Sequence, residues 1–155
     1  RKSVRTIAFV VALPLLCTGG YLQYWASGLE PPHISMGSEK TDAINWQAYS
    51  PETVSAMVAD GKTVYVDFTA TWCLTCQVNK KVAFGSDEVI QYFKENDIVA
   101  LKGDWTRRDP VITRELQRFK RNGVPTNIIY RPGGEDTLLP EVLTPGIVLD
   151  ALREG

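Results

Sequence analysis

Residues 68–80 read FTATWCLTCQVNK, and the fold is decided by what flanks the two cysteines. Upstream, residues 63–70 (TVYVDFTA) are rich in β-branched and aromatic side chains, the composition of a central strand. Downstream, a helix is expected from about Cys73 through Ala83. The pair therefore sits where the carboxyl end of a strand meets the start of a helix, the edge at which α/β sheets place their sites.

Three kinds of chemistry compete for such a pair. A purely structural disulfide would close a tiny loop and add little stability through chain entropy. A zinc site needs about four ligands, and Cys73, Cys76 and the single, distant His33 do not supply them. A Cu(I) site or assembly module using both thiolates stays chemically open, because soft thiolates suit Cu(I). Redox exchange makes the most specific use of the position. Free N–H groups and the dipole at a helix N-terminus stabilise a thiolate at Cys73, the attacking group. Cys76, one turn on, reaches back to resolve the mixed disulfide. Leu74 and Thr75, between them, tune the redox poise. No cofactor is expected beyond the Cys73–Cys76 couple.

Asp67 interrupts the apolar strand. Alternation puts Tyr65, Asp67 and Thr69 on one face and Val64, Val66 and Phe68 on the other. With both faces covered, Asp67 lies at least partly buried beneath the cysteines, where burial raises a carboxyl pKa and lets it exchange a proton with Cys76. The plainer reading is a polar residue facing a wet gap. Gly123-Val124-Pro125-Thr126 places a proline just before a strand. A cis bond there would turn the Val124 backbone toward the cysteines, offering its amide and carbonyl to an extended client; a trans proline that simply ends the preceding element is the alternative. Trp72 either shields the cysteine loop and contacts partners or is a core residue.

Working outward, the pattern is β-α-β-α-α-β-α-β-β-α. NWQAY is a short first strand. Ser50-Pro51 opens a helix that Gly61 stops, and Ser86 caps a helix over SDEVIQYFKEN. DIVALKGD is a strand. Asp109-Pro110 opens a helix that Gly123 ends, PTNIIYR and EDTLLPE are strands joined by a PGG turn, and TPGIVLDALRE closes the chain as a helix. The long crossovers call for parallel pairs, and the hairpin adds an antiparallel edge. The expected fold class is α/β: a central mixed sheet with helices on both faces.

The totals agree with one domain plus an attachment: 155 residues, 44% apolar, with 17 basic and 18 acidic side chains. A net charge of −1 gives no footprint for nucleic acid. Three cysteines are too few for a disulfide-stapled scaffold, and Cys17 is remote from the pair. Residues 6–25 carry no charge, follow Arg1, Lys2 and Arg5, and end in Tyr21, Tyr24 and Trp25. As a helix they would span about 30 Å, the hydrocarbon thickness of a bilayer. Basic residues favour the cytoplasmic side and aromatic rings the interface. The expected organisation is a membrane anchor or signal segment over 1–25, a linker over 26–43 that holds His33 as a solvated residue, and a folded domain over 44–155 outside the cytoplasm. A cleaved signal, a lipoprotein signal that would modify Cys17 (against it, Leu16 stands where a small residue is expected), a soluble helix and the last span of a larger protein are the rival readings of the first segment.

FTATWCLTCQVNKKV (68–82), GVPT (123–126), DWT (104–106) and LPEVLTPGIVLDAL (139–152) together resemble a thioredoxin-like domain. More narrowly, they resemble the C-terminal domain of the DsbD/ScsB-type transmembrane disulfide reductases. The resemblance covers residues 44–155. It implies a thioredoxin-like fold, attack by Cys73, resolution by Cys76, Asp67 as the buried acid, and Pro125 as the cis-proline with Val124 touching substrate. It also implies electron flow from a membrane donor unit of the DsbD/CcdA type to periplasmic thiol/disulfide clients. Clients of related proteins include disulfide isomerases, cytochrome c maturation factors and copper-tolerance proteins. The implied location is the bacterial inner membrane, with the domain facing the periplasm. Oxidase or isomerase chemistry is the same couple run differently. Two positions depart from the pattern. Leu74-Thr75 replaces the Gly-Pro of thioredoxin, and Lys80 stands where relatives often carry a glutamate.

Overall fold

In the computed structural model, which describes residues 43–154, the chain runs β1 (Gln47–Ala48), α1 (Pro51–Ala59), β2 (Val64–Thr69), α2 (Leu74–Val82), α3 (Asp87–Glu95), β3 (Val99–Asp104), α4 (Pro110–Arg118), β4 (Thr126–Tyr130), β5 (Thr137–Leu138) and α5 (Pro145–Arg153). This is the element order expected from the sequence. Cys17, His33 and the uncharged segment 6–25 lie outside the described residues. No helix among the described residues is long and apolar enough to cross a membrane.

The helix starts follow local chemistry. Ser50 accepts from the Thr53 N–H, Asp109 from those of Val111 and Ile112, and Thr144 from that of Ile147, each with proline at the next position. Gly61 follows α1 with φ +80°, a conformation costly for any residue with a Cβ. Ser86 is the N-cap of α3 as expected, though without a side-chain cap bond. One expectation fails in detail. Gly123 does not end α4, which closes at Phe119; Lys120 then takes a left-handed φ of 57°, so a non-glycine residue provides the stop.

The sheet order is β1-β3-β2-β4-β5. β1, β3 and β2 run parallel; β4 is antiparallel to β2, and β5 to β4. The long β3–α4–β4 connection therefore does not produce the parallel pair expected of it. Asp104 ends β3 beside Thr69, and Thr126 begins β4 beside Phe68. Residues 105–125 thus leave and re-enter the sheet at the same end, and β4 must run back down.

The alternation in β2 sorts as expected. Tyr65 faces a core built from α3, α5 and the end of α2 (Phe84, Val89, Phe93, Val148, Leu152). Val64, Val66 and Phe68 face a second core under α1 and α4 (Val54, Ile112, Leu116). Gly103 is a required close approach: a Cβ there would stand 2.4 Å from the Phe68 ring. Two covered faces leave the strand ends at Thr69 and Thr126 as the place where the sheet opens to a site.

Candidate functional site

Cys73 and Cys76 are joined as a disulfide at the start of α2. Cys73 is the N-cap, and its sulfur accepts the Cys76 backbone N–H at 3.1 Å. A backbone donor at that position, with the dipole of a helix start, is the kind of environment that favours negative charge on a cap sulfur. Both cysteines are buried and pack with Ala70 and Val124. Around them the surface is apolar and open: Trp72 is 55% exposed and Leu74 79%, with Val78 exposed one turn further along α2.

Asp67 is only 7% exposed. It lines a cleft of about 280 Å³ with Cys76, Lys80, Lys102 and Asp104, so the carboxyl and the second cysteine share one small space. Burial pushes Asp67 up to about 7, against the pull of Lys102 and then Lys80. A group poised there holds a proton near neutral pH and can give it up. Lys80 thus faces the acid and Cys76 together, and Thr75 behind Leu74 is half-buried.

The Val124–Pro125 peptide bond is cis. Val124 is half-buried against the cysteines while Pro125 is buried. Trp72 is a surface residue, not a core one, and it is held in place: its indole N–H donates to the Thr106 carbonyl at 3.1 Å, and its ring lies 6.1 Å from that of Trp105. The Thr71 N–H donates to the Thr106 hydroxyl at 3.0 Å, which in turn donates to Asp104. The Thr106 hydroxyl and then the Thr106 N–H, both donating to it, hold the exposed Asp104 carboxyl below its usual range.

The structure thus brings Asp67, Trp72, Cys73, Leu74, Thr75, Cys76, Lys80, Val124 and Pro125 to one end of the sheet. Sequence reading missed the supports. Thr106 braces the cysteine loop. Asn79, buried in α2, donates to the Glu141 carbonyl at 2.7 Å and accepts the Leu143 N–H at 3.0 Å, tying the helix to the loop before α5. Lys102 sits beside Asp67 in the neighbouring strand. A polar residue on an otherwise buried helix face was the available signal for Asn79. Among the described residues, no group of three or more His, Cys, Asp or Glu could hold a metal ion. The bonded pair and its cleft form a redox-type dithiol/disulfide site.

A family profile described as thioredoxin-like matches residues 45–132. The chain is 31% identical over 78 residues to the thiol:disulfide interchange protein DsbD of Pseudomonas fluorescens, covering 50% of this chain and 13% of that one. It is 26% identical over 145 residues to the DsbD of Klebsiella pneumoniae, covering 88% and 22%. The chain therefore spans less than a quarter of the length of these relatives. The oxidised C-terminal domain of DsbD from Neisseria meningitidis superposes with a TM-score of 0.57 at 20% identity, over 69% of this chain and 96% of that domain, a likeness of fold.

Proposed function

Because this chain belongs to the thioredoxin-like family and its domain resembles the DsbD C-terminal domain, we propose that residues 44–155 work as a thiol:disulfide oxidoreductase run as a reductase of extracytoplasmic clients. The observation that carries the reading is the disulfide at the start of α2 whose second cysteine shares a cleft with a buried carboxyl.

In the proposed cycle the pair begins as a dithiol. The Cys73 thiolate attacks one sulfur of a client disulfide; that bond breaks, the other client sulfur leaves and takes a proton, and a Cys73–client disulfide forms. Asp67 accepts the Cys76 proton. The Cys76 thiolate attacks the Cys73 sulfur, the Cys73–Cys76 bond forms, and the second client sulfur leaves. The client gains two electrons and two protons, and the pair ends oxidised. The Val124 backbone pairs with the extended client segment, and Trp72 and Leu74 give it an apolar contact. A membrane dithiol donor of the DsbD/CcdA type restores the pair. Residues 6–25 serve as the membrane segment, with the linker 26–43 between it and the domain. Their charge order supports a domain on the periplasmic side of the inner membrane.

Direction separates reductase from oxidase, and the reduction potential of the pair tests it. A value near the ~ −270 mV of thioredoxin supports the reductase reading, and one near the ~ −120 mV of strong oxidants overturns it.

A further inference from the structure

One buried donor in the sheet has no use in the cycle above. Asn127 of β4 is 0% exposed, and its Nδ2 has no hydrogen-bond partner among the described residues. A buried amide N–H left unpaired is costly, and such atoms are rare in native folds. Its location is informative. Asn127 lies directly across from Asp67 in the antiparallel β2–β4 pair, so both side chains rise from the same face. Directly opposed residues have Cβ atoms about 5 Å apart, within reach of a small side-chain adjustment.

The other end of the amide is already committed. The Tyr65 hydroxyl, fully buried two residues before Asp67 on the same face, donates to Asn127 Oδ1 at 3.2 Å. With the oxygen held by Tyr65, the amide nitrogen is the end left for the carboxyl. We propose that Asn127 is a positioning residue for the proton acceptor: its Nδ2 donates to Asp67 when that carboxyl is ionised, and Tyr65 fixes the direction of the amide.

The groups around Asp67 are then accounted for. Lys102 of β3 and Lys80 of α2 favour its ionised form through charge, and Asp104 lines the far side of the same cleft. Cys76 is the proton donor in the cleft. Tyr65 is neutral, its hydroxyl pushed well up by burial and then by the Asp67 charge. Asn127 adds a directed donor from the strand on the other side. The donor is idle while Asp67 is protonated and engaged once it has lost its proton, which lowers the pH at which the acid becomes free to accept the Cys76 proton.

The proposal rests on the redox reading for its consequence, but its test does not. The Asp67 ionisation midpoint is measured by carbon NMR of labelled aspartate in the oxidised full chain, without any client. Asn127→Leu, similar in volume and without a donor, should raise the midpoint by about one pH unit. Tyr65→Phe, which releases the amide, should raise it less. An unchanged or lowered midpoint in folded Asn127→Leu overturns the proposal; if that variant does not fold, Asn127→Ala is read the same way. Failure of the wild-type chain to exchange disulfides would defeat the redox reading and leave this result standing.

Discussion

The Asp67 carboxyl and the Cys76 side chain open into one cleft beneath the start of α2. Everything proposed about proton movement follows from that adjacency. The acid sits at about 7 against an ordinary value of 3.8. A raised carboxyl binds its proton more tightly in the folded state, so its stabilising contribution is complete below about 3.8 and is lost as pH rises through about 7. That difference corresponds to at most about 4 kcal/mol. Urea denaturation of the oxidised chain between pH 4 and pH 8 should show this decline. Asp67→Asn should flatten it and be the more stable protein at pH 8. A wild-type profile that is flat over this range would contradict the assignment.

The same substitution removes the proposed acceptor of the Cys76 proton. Asp67→Asn should slow resolution of a preformed Cys73 mixed disulfide by about 10²-fold at pH 7. Stopped-flow release of a chromophoric thiol measures that step. Unchanged release would leave Asp67 a buried polar residue and no more.

Asn79 holds α2 to the loop before α5 with both ends of its amide. Asn79→Leu keeps the volume but strands the Glu141 carbonyl and the buried Leu143 N–H. A loss of about 1–3 kcal/mol is expected in chemical denaturation, chiefly from the buried Leu143 N–H left without a partner, while the part-buried Glu141 carbonyl turns to water. A loss under about 0.5 kcal/mol, the scale of an ordinary surface change, would mean that water replaces the clamp.

Thr106 braces the loop that carries Trp72 and Cys73. Thr106→Val removes the hydroxyl that accepts from Thr71 and donates to Asp104, while the carbonyl under Trp72 stays. The site is exposed, so the global cost should be about 1 kcal/mol or less. The readout is local: amide exchange at Thr71 should accelerate, with core strands unchanged.

Gly103 leaves no room for a side chain beside Phe68. Gly103→Ala should destabilise by about 1–3 kcal/mol through overpacking, seen as a lower melting temperature with the disulfide chemistry intact. A neutral result would require the buried ring to shift freely.

The features legible in the sequence are those governed by near neighbours. The strand-to-helix junction, the proline-led helix starts and the parity of Tyr65 and Asp67 all depend on short spacings. The β4 direction is not of this kind. It depends on residues 105–125 returning to the end they left, which no local signal announces. The supporting roles of Asn79, Thr106 and Asn127 are not legible locally for the same reason. Asn79 bonds to residues more than 60 positions away, and Asn127 matters only through the register that sets it opposite Asp67. Lys120 shows a competing principle at work, a non-glycine residue taking the left-handed conformation where Gly123 was expected to end the helix.

In the proposed cycle Cys73 attacks and Cys76 resolves. Cys76→Ala in the full chain should therefore accumulate a covalent adduct with a disulfide-bearing client. Intact mass should show one client thiol added, peptide mapping should place it on Cys73, and dithiothreitol should release it. Cys73→Ala should accumulate none. An adduct on Cys76 instead, or no adduct with either variant across a range of disulfide proteins, would contradict the account.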